Sequence, residues 1–421
     1  MQRLINVIIA LLICNLTFNI CNCEAQWVPC GISGMGIYGF DTIGSSIYIA
    51  DFTGGILCST NDGVNWSSLN VGINMAAFSV THNNNYIFAG AYLSGVYRTS
   101  NNGINWTQVN SGLSTNPNSG VRSVIAIGNN IFAGYDDYDG VYRSTNNGDN
   151  WIRTDTNLRY LTYAFALNGQ YLFAATANGV FRTSNNGINW ENVTSGIMNY
   201  GAWSVSANGS IIYAAGSNGG GTGGAYISTN YGNSWNIMIP GIGSIFAFGN
   251  YLFAANFGNF FVSTDNGNSW INKNEGLINV SVVSIFAYNN YSYTGGFSEP
   301  PNYTNILWRR PINELTKINK ISEKIPDDYF LSQNYPNPFN PSSIIRFTIP
   351  RGSPIGAFGD DKVTLKVYDI IGREIETLVN ENLKPGTYEV KLDGCRLASG
   401  VYFYTITAGE FKETKKALLI K

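Results

Sequence analysis

The chain has 421 residues, of which 12% are charged and 14% aromatic, with 47 glycines. Charge this sparse suggests a membrane protein, but the only apolar stretch near spanning length lies at the N-terminus, which excludes a polytopic one. A formal net charge of −2 offers no basic field for nucleic acid or an anionic membrane surface, and a single histidine, His82, argues against His-based zinc sites and Ser-His-Asp chemistry.

Taken in chain order, Met1 to Ala25 carries one basic residue, an apolar run from Leu4 to Ile13 and small residues before Gln26. That is the pattern of a secretory signal cleaved after Ala25, and it leaves no transmembrane segment in the mature chain. Ile13, Ile20 and Asn22 precede Cys14, Cys21 and Cys23, which disfavours a lipoprotein signal, since that needs a small residue there. Cleavage leaves Cys30, Cys58 and Cys395, too few for a disulfide framework and expected as buried small hydrophobes.

One phrase then recurs six times: Ser59-Thr-Asn61-Asp-Gly63-Val-Asn-Trp66, Thr99-Ser-Asn101-Asn-Gly103-Ile-Asn-Trp106, Ser144-Thr-Asn146-Asn-Gly148-Asp-Asn-Trp151, Thr183-Ser-Asn185-Asn-Gly187-Ile-Asn-Trp190, Ser228-Thr-Asn230-Tyr-Gly232-Asn-Ser-Trp235 and Ser263-Thr-Asp265-Asn-Gly267-Asn-Ser-Trp270. The Trp-to-Trp spacings of 40, 45, 39, 45 and 35 suit a four-stranded propeller blade. Each unit parses into such strands, as in Ala77–Thr81, Tyr86–Gly90, Gly95–Arg98 and Trp106–Asn110. The first three strands recur a seventh time, at roughly Val282–Ala287, Tyr291–Thr294 and Ile306–Arg310, without the phrase or a fourth strand. Trp27-Val-Pro-Cys-Gly31-Ile32 resembles Trp106…Gly112-Leu113 and supplies the missing strand. Residues 26–311 are therefore expected to form a seven-bladed β-propeller closed by the mature N-terminus, in an all-β chain.

The phrase has a mechanical reading: Ser/Thr and Asn/Asp oxygens accept from turn amides, Gly supplies positive φ, and Trp packs under the turn. It resembles the Asp-box of BNR-type propellers, a group that includes sialidases, sortilin-like receptors and the photosystem II assembly-factor family. In those families the box is a fold element on the hairpin between the third and fourth strands and carries no catalysis. Five of the six copies here have Asn where the name-giving Asp stands.

A sialidase needs an arginine triad, but Arg98, Arg143, Arg182 and Arg309 share one repeat position, which suits a structural role better. Two facing carboxylates would make another glycoside hydrolase, the competing reading. A ligand would sit on the rim opposite the boxes, where Asp51, Phe52, Tyr92, Tyr135, Asp136, Asp137, Tyr160, Tyr200, Phe257, Glu299 and Tyr303 place rings beside polar groups suited to a glycan or a protein. Asp136, Asp137 and Asp139 are weak Ca²⁺ candidates, because the rest of a calcium loop is missing; no other metal and no cofactor is expected. His82 falls in a turn with no evident partner.

Residues 26–311 hold 9 basic and 12 acidic residues, and residues 312–421 hold 15 and 14. The composition breaks near Pro311, and residues 312–328, without periodicity and bracketed by prolines, read as a linker. Residues 329–421 alternate as short strands, at Ile344–Ile349, Val363–Tyr368, Tyr388–Leu392, Val401–Ile406 and Lys416–Ile420, which argues for a small β-sandwich. Gln333-Asn-Tyr-Pro336-Asn337-Pro338-Phe339-Asn340-Pro341, Val367–Glu374, Leu397-Ala-Ser-Gly400-Val-Tyr402-Phe-Tyr404 and the Lys415-Lys416…Lys421 ending closely resemble the C-terminal sorting domain of the type IX (Por) secretion system. That family is Ig-like and related to the flagellar hook-capping protein. The resemblance implies export across both membranes of a Bacteroidetes-like bacterium to the surface or the medium. It also implies the secretion machinery as partner and removal of the module; the Gly-rich stretch from Arg351 to Asp361 lies outside the matched blocks.

Overall fold

All six copies of the repeated phrase fold as the same turn. The opening hydroxyl accepts the Gly N–H four residues on, at 2.9 Å for Ser59 and Gly63, 3.1 Å for Thr99 and Gly103, and 2.8 Å for Ser144 and Gly148, with the other three copies alike. The Asn or Asp Oδ1 accepts a second amide, from Asn105 onto Asn101 at 3.0 Å and from Ser269 onto Asp265 at 2.8 Å. That bond needs an oxygen acceptor and no charge, which is why Asn serves where Asp is also found. Two successive residues turn left-handed, as in Asn147 at φ 57° and Gly148 at φ 90°; Gly and Asn are the residues that take such angles most cheaply.

The computed structural model describes residues 26–34, 36–70, 76–154, 157–195, 201–217, 223–256, 258–277, 280–298, 306–315, 318–322, 324–351, 361–383, 385–394 and 397–421. The expected signal segment 1–25, Cys395 and most of the 351–361 stretch lie outside them. The chain divides into two compact units, Gln26–Ile312 and Asn313–Lys421.

In the first unit the described residues form seven four-stranded antiparallel sheets, six of consecutive strands. In the seventh, Val28–Pro29 pairs with Leu307–Pro311, with Val28 opposite Arg309 and Pro29 opposite Trp308. The N-terminal residues thus complete the last sheet. The first strands, Ile37–Ile43, Ala77–His82, Val121–Ile127, Thr162–Asn168, Ser204–Asn208, Ser244–Phe248 and Val280–Tyr288, pack side by side in a closed ring and are the innermost ones. Hydroxyls on these strands stitch neighbours together: Ser123 Oγ donates to Thr162 O at 2.9 Å, Ser204 Oγ to Ile245 O at 2.9 Å, and Ser284 Oγ to Ile37 O at 2.6 Å, where the ring closes.

Further out, Trp106, Trp151 and Trp235 do the same work. Trp106 Nε1 donates to Leu69 O at 2.8 Å, Trp151 to Val109 O at 2.7 Å and Trp235 to Val193 O at 2.7 Å, each reaching the last strand region of the preceding sheet. Trp27 donates to Lys273 O at 2.7 Å and packs edge-on against Phe260, so it takes the same place although its turn is missing. The arginines at the shared repeat position are structural. Arg98 and Arg182 each donate at 2.6 Å to the next sheet's turn, at Asn147 O and Tyr231 O, while stacking over Tyr86 and Tyr171; Arg309 does likewise with Asp62 O and Tyr291. Arg143 departs from them and forks onto Asn130 Oδ1.

The second unit is a sandwich of two four-stranded sheets. One runs Ile318–Ser322, Gly386–Asp393, Ser342–Ile349, Phe330–Leu331, and the other Glu374–Leu383, Asp361–Tyr368, Gly400–Ala408, Phe411–Leu419. Ile345, Phe347, Val363, Leu365, Val390, Tyr404 and Ile406 fill the space between. Residues 312–328, expected as a linker, contain a short helix, Ile312–Leu315, and the strand Ile318–Ser322, in which Ile318 faces Val390. A register shift between Lys320 and Ser322 breaks the alternation that marks a strand in sequence. Glu374–Leu383 also escaped the pattern, because it is itself bulged twice, at Ile375 and Leu378, and Leu378 and Val379 are both buried.

Trp27 is 1% exposed whereas Trp106 is only half buried, so ring closure leans on Trp27. Trp27→Ala removes a buried indole and its inter-sheet bond, and should cost the propeller roughly 3–5 kcal/mol. Chemical denaturation followed by tryptophan fluorescence measures it; an unchanged midpoint would refute the closure role.

Candidate functional site

The two ends of the sheet ring differ. The repeated turns and the tight hairpins at Gly44, Gly128, Gly169, Gly209 and Gly249 occupy one end, while the loops between second and third strands and the connections into each first strand occupy the other. At this second end one backbone bond recurs: Phe52, Tyr92, Asp136 and Ala177 each donate N–H to the residue preceding a first strand, at Gly36, Ala76, Gly120 and Leu161, over 2.9–3.0 Å. The rim is thus a set of equivalent positions on a fixed scaffold whose side chains vary.

A second set sits just inside it. The first strands of the first four sheets each carry a one-residue bulge near the rim, with Tyr38, Phe78, Arg122 and Tyr163 as the extra residues. A bulge re-aims its side chain, and here the re-aimed chains converge. Arg122 Cζ lies 5.1 Å from the Tyr38 ring centroid, 4.7 Å from Phe78 and 5.7 Å from Tyr163, so one guanidinium from the third sheet touches rings from the first, second and fourth. Phe52 and Tyr92 extend the patch outward, their centroids 5.4 Å apart and each within 5.7 Å of Phe78. Phe78 is buried, Phe52 half-buried and Tyr92 40% exposed, so the patch runs from the core to open solvent. Burial raises the Tyr38 and Tyr163 hydroxyl pKa values, opposed by the Arg122 charge.

The other rim candidates sort differently. Tyr135 is 2% exposed and packs on Tyr142 in the core, so it is no surface residue. Tyr160 packs against Phe181. Asp51 is buried: its Oδ1 accepts from Thr53 N at 2.9 Å and Thr53 Oγ1 at 3.0 Å, and burial raises its pKa against those bonds. Tyr200, Phe257, Glu299 and Tyr303 lie outside the described residues. The bulge residues themselves escaped sequence reading, although a signal exists: Ile37-Tyr-Gly, Ala77-Phe-Ser, Val121-Arg-Ser and Thr162-Tyr-Ala each place a large residue before a small one at the strand start.

The acidic run spends its oxygens on the neighbouring loop. Asp136 Oδ1 accepts from Gly120 N at 2.7 Å, Asp137 from Asp139 N at 2.8 Å and Asn116 Nδ2 at 3.0 Å, and Asp139 from the Ser114 hydroxyl. Their oxygens therefore pin the connection 114–120 to the loop after Tyr135. Among the described residues no group of three or more His, Cys, Asp or Glu is placed to hold a metal. Burial raises Asp136, with Gly120 opposing it first, Asp137 adding to it and Arg122 opposing it further. Cys30 is buried and its thiol pushed up to about 12, which leaves it unreactive.

In the second unit the proline-rich opening is pinned by its buried members. Asn334 Nδ2 donates to Ser343 Oγ at 2.9 Å and to Pro336 O at 3.1 Å, and its N–H reaches Tyr404 Oη at 2.7 Å. Phe339 is 2% exposed, and its N–H meets Leu418 O at 2.9 Å. Pro336, Asn337, Pro338 and Asn340 remain exposed and Pro341 is half-buried. Tyr402 donates to Ala398 O beside the half-buried Gly400, Lys415 pairs with Glu413 at 2.7 Å, and Lys416 and Lys421 are exposed.

This geometry belongs to a known module. Residues 333–421 match the family described as secretion system C-terminal sorting domain. The tail of the chain is a sorting domain. It implies export through type IX machinery in Bacteroidetes-type bacteria. No curated protein matches the chain. Among solved structures, YCF48 bound to D1 peptide aligns with a TM-score of 0.53 at 14% identity, over 68% of this chain and 96% of that one. YCF48 from Cyanidioschyzon merolae gives 0.51 at 13% over 69% and 99%, and the extracellular domain of BT4673 from B. thetaiotaomicron gives 0.53 at 9% over 94% and 59%. These likenesses establish the β-propeller fold ahead of the sorting domain. Among the described residues no helix is long and apolar enough to cross a membrane.

His82, expected without a partner, has one. Its Nδ1 lies 2.7 Å from Asp41 Oδ2, on the neighbouring innermost strand. The hydrogen bond to Asp41 raises the His82 pKa, partial burial opposes it, and the carboxylate charge adds to the rise. A folded value above the unfolded one makes the pair stabilising in full below about pH 6.5 and progressively less so as pH climbs through the folded value. With a single histidine in the chain, an imidazole NMR titration reads this directly. The midpoint should lie above about 6.5 and fall in Asp41→Asn; an unshifted midpoint would remove the pair from the account.

Proposed function

We propose that this chain is an exported binding protein. In this reading residues 1–25 are a signal peptide, residues 26–311 an Asp-box propeller that holds a glycan or protein ligand on its variable rim, and residues 329–421 the sorting module that type IX machinery reads and removes. The product is secreted or held at the cell surface. The observation that carries the binding role is the patch of Tyr38, Phe52, Phe78, Tyr92 and Tyr163 around Arg122: contiguous rings of graded exposure with one cation among them are costly to leave in water and serve recognition. A propeller of the same fold is found bound to a peptide, which supports binding as a role for such rings of sheets. The glycoside hydrolase reading is less well supported, because Asp51, Asp136, Asp137 and Asp139 spend oxygens on loop hydrogen bonds.

Two measurements test this. Deleting residues 329–421 should trap the chain in the periplasm with its signal removed; normal appearance outside the cell would end the sorting claim. The exported protein should retain a partner on a glycan or protein array without turnover. Reducing ends that appear with a polysaccharide and vanish in Asp136→Asn would instead establish an enzyme.

A further inference from the structure

The propeller's arginines are almost all occupied by the protein itself. Arg98, Arg182 and Arg310 are ion-paired with Asp149, Glu191 and Glu275 at 2.7, 2.9 and 2.7 Å. Arg143, Arg153 and Arg309 donate to Asn130, Tyr138 O and Asp62 O. Arg159 is exposed on a connection. Arg122 is different: among the described residues it is held by ring faces, and no carboxylate, amide or carbonyl oxygen accepts from it. Ring faces engage the flat side of a guanidinium and leave its edge of N–H donors free. That edge is not sealed in the core, since Arg122 is half-buried and none of its nitrogens is shut away from solvent without a partner. Asp136 is close enough to feel the charge, but its Oδ1 is taken by Gly120 N.

Beside the ends of the first strands the mouth of the ring presents the rings of Phe52 and Tyr92 and the guanidinium of Arg122, so these are the groups recognition can use there. Flat rings beside a fork of donors match the two features of an acidic sugar: a saccharide face to stack on Phe52 and Tyr92, and a carboxylate to take both N–H groups of Arg122. We propose that the rim binds a uronate-type acidic saccharide, with Arg122 as the receptor for its carboxylate. This deepens the rim-binding reading above and rests on it.

Calorimetric titration of the full exported chain with oligogalacturonate and with its fully methyl-esterified counterpart separates the two, because the rings are the same and only the charge is removed. The acidic oligomer should bind at least about tenfold more tightly, and increasingly so as salt is lowered. Arg122→Met, which keeps the stem among the rings, should abolish the preference for the acidic oligomer over the ester, and Arg122→Lys should recover only part of it. Tyr92→Ala should weaken both ligands. Equal binding of acid and ester, or an Arg122→Met variant that still prefers the acid, would overturn the carboxylate receptor while leaving rim binding standing. If both oligomers bind but Tyr92→Ala and Arg122→Met change neither, the rim reading itself fails. If neither oligomer binds and an acidic peptide does, the saccharide assignment is wrong.

Discussion

The bond between neighbouring sheets, made by the indole N–H of Trp27, Trp106, Trp151 and Trp235 at the outer radius and by strand hydroxyls at the inner one, is the contact on which the first unit depends. A single four-stranded sheet has two faces to cover and cannot cover them alone, so its stability comes from neighbours. Trp106, Trp151 and Trp235 fix those neighbours at the outer radius, and the Ser123, Ser204 and Ser284 hydroxyls fix them at the inner one. Two attachment radii set both the spacing and the angle between sheets. Trp27 then does for the seventh sheet what Trp106, Trp151 and Trp235 do elsewhere, with Val28–Pro29 as the strand that follows it.

This construction accounts for the sparse charge. Faces between sheets are filled by Phe, Ala, Ile and Val, where an ion would lose its hydration, and turn oxygens are supplied by neutral Asn. Arginine enters where it can lie on a tyrosine and reach a carbonyl of the next turn, as Arg98 and Arg182 do. A cation with ring faces beneath it and, among the described residues, no acceptor at its edge therefore stands apart from the rule that places the others. The same scaffold that fixes one end of the ring by repetition frees the other, since Phe52, Tyr92, Asp136 and Ala177 share a backbone bond while their side chains run from aromatic to acidic to a methyl group.

Much of this was legible in the residues. Six copies of an eight-residue turn gave the sheets, and the likeness of Trp27–Ile32 to Trp106–Leu113 gave the strand that crosses the whole unit. The inner site was not legible in the same way, because strand reading relies on strict alternation and the bulges at Tyr38, Phe78, Arg122 and Tyr163 insert a residue that breaks it. Loop acids misled for a different reason: Asp136 and Asp137 look free in a sequence, whereas their acceptors are turned inward to Gly120 and Asn116. Tyr135 closes the strand before them and points to the core, so adjacency to a loop was no guide to exposure.

The sorting domain divides its signature in a way the sequence conceals. Asn334, Phe339 and Tyr404 are buried and bind the opening segment to the strands Ser342–Ile349, Gly400–Ala408 and Phe411–Leu419. Their replacement would act on the fold of the sandwich. Tyr335, at 81% exposed, and Pro336, Asn337, Pro338 and Asn340 stay on the surface of that segment, displayed by the buried residues between them. Only the second group is open to a partner, so a compact run of nine residues divides into positions that pack and positions that face solvent. Surface charge follows the same division: Lys366, Arg373, Lys391 and Lys415 pair with Glu374, Asp369, Asp393 and Glu413 along the strands of the sandwich, a distribution that suits a small exposed unit and that the ring of sheets, built on buried faces, has little room to adopt.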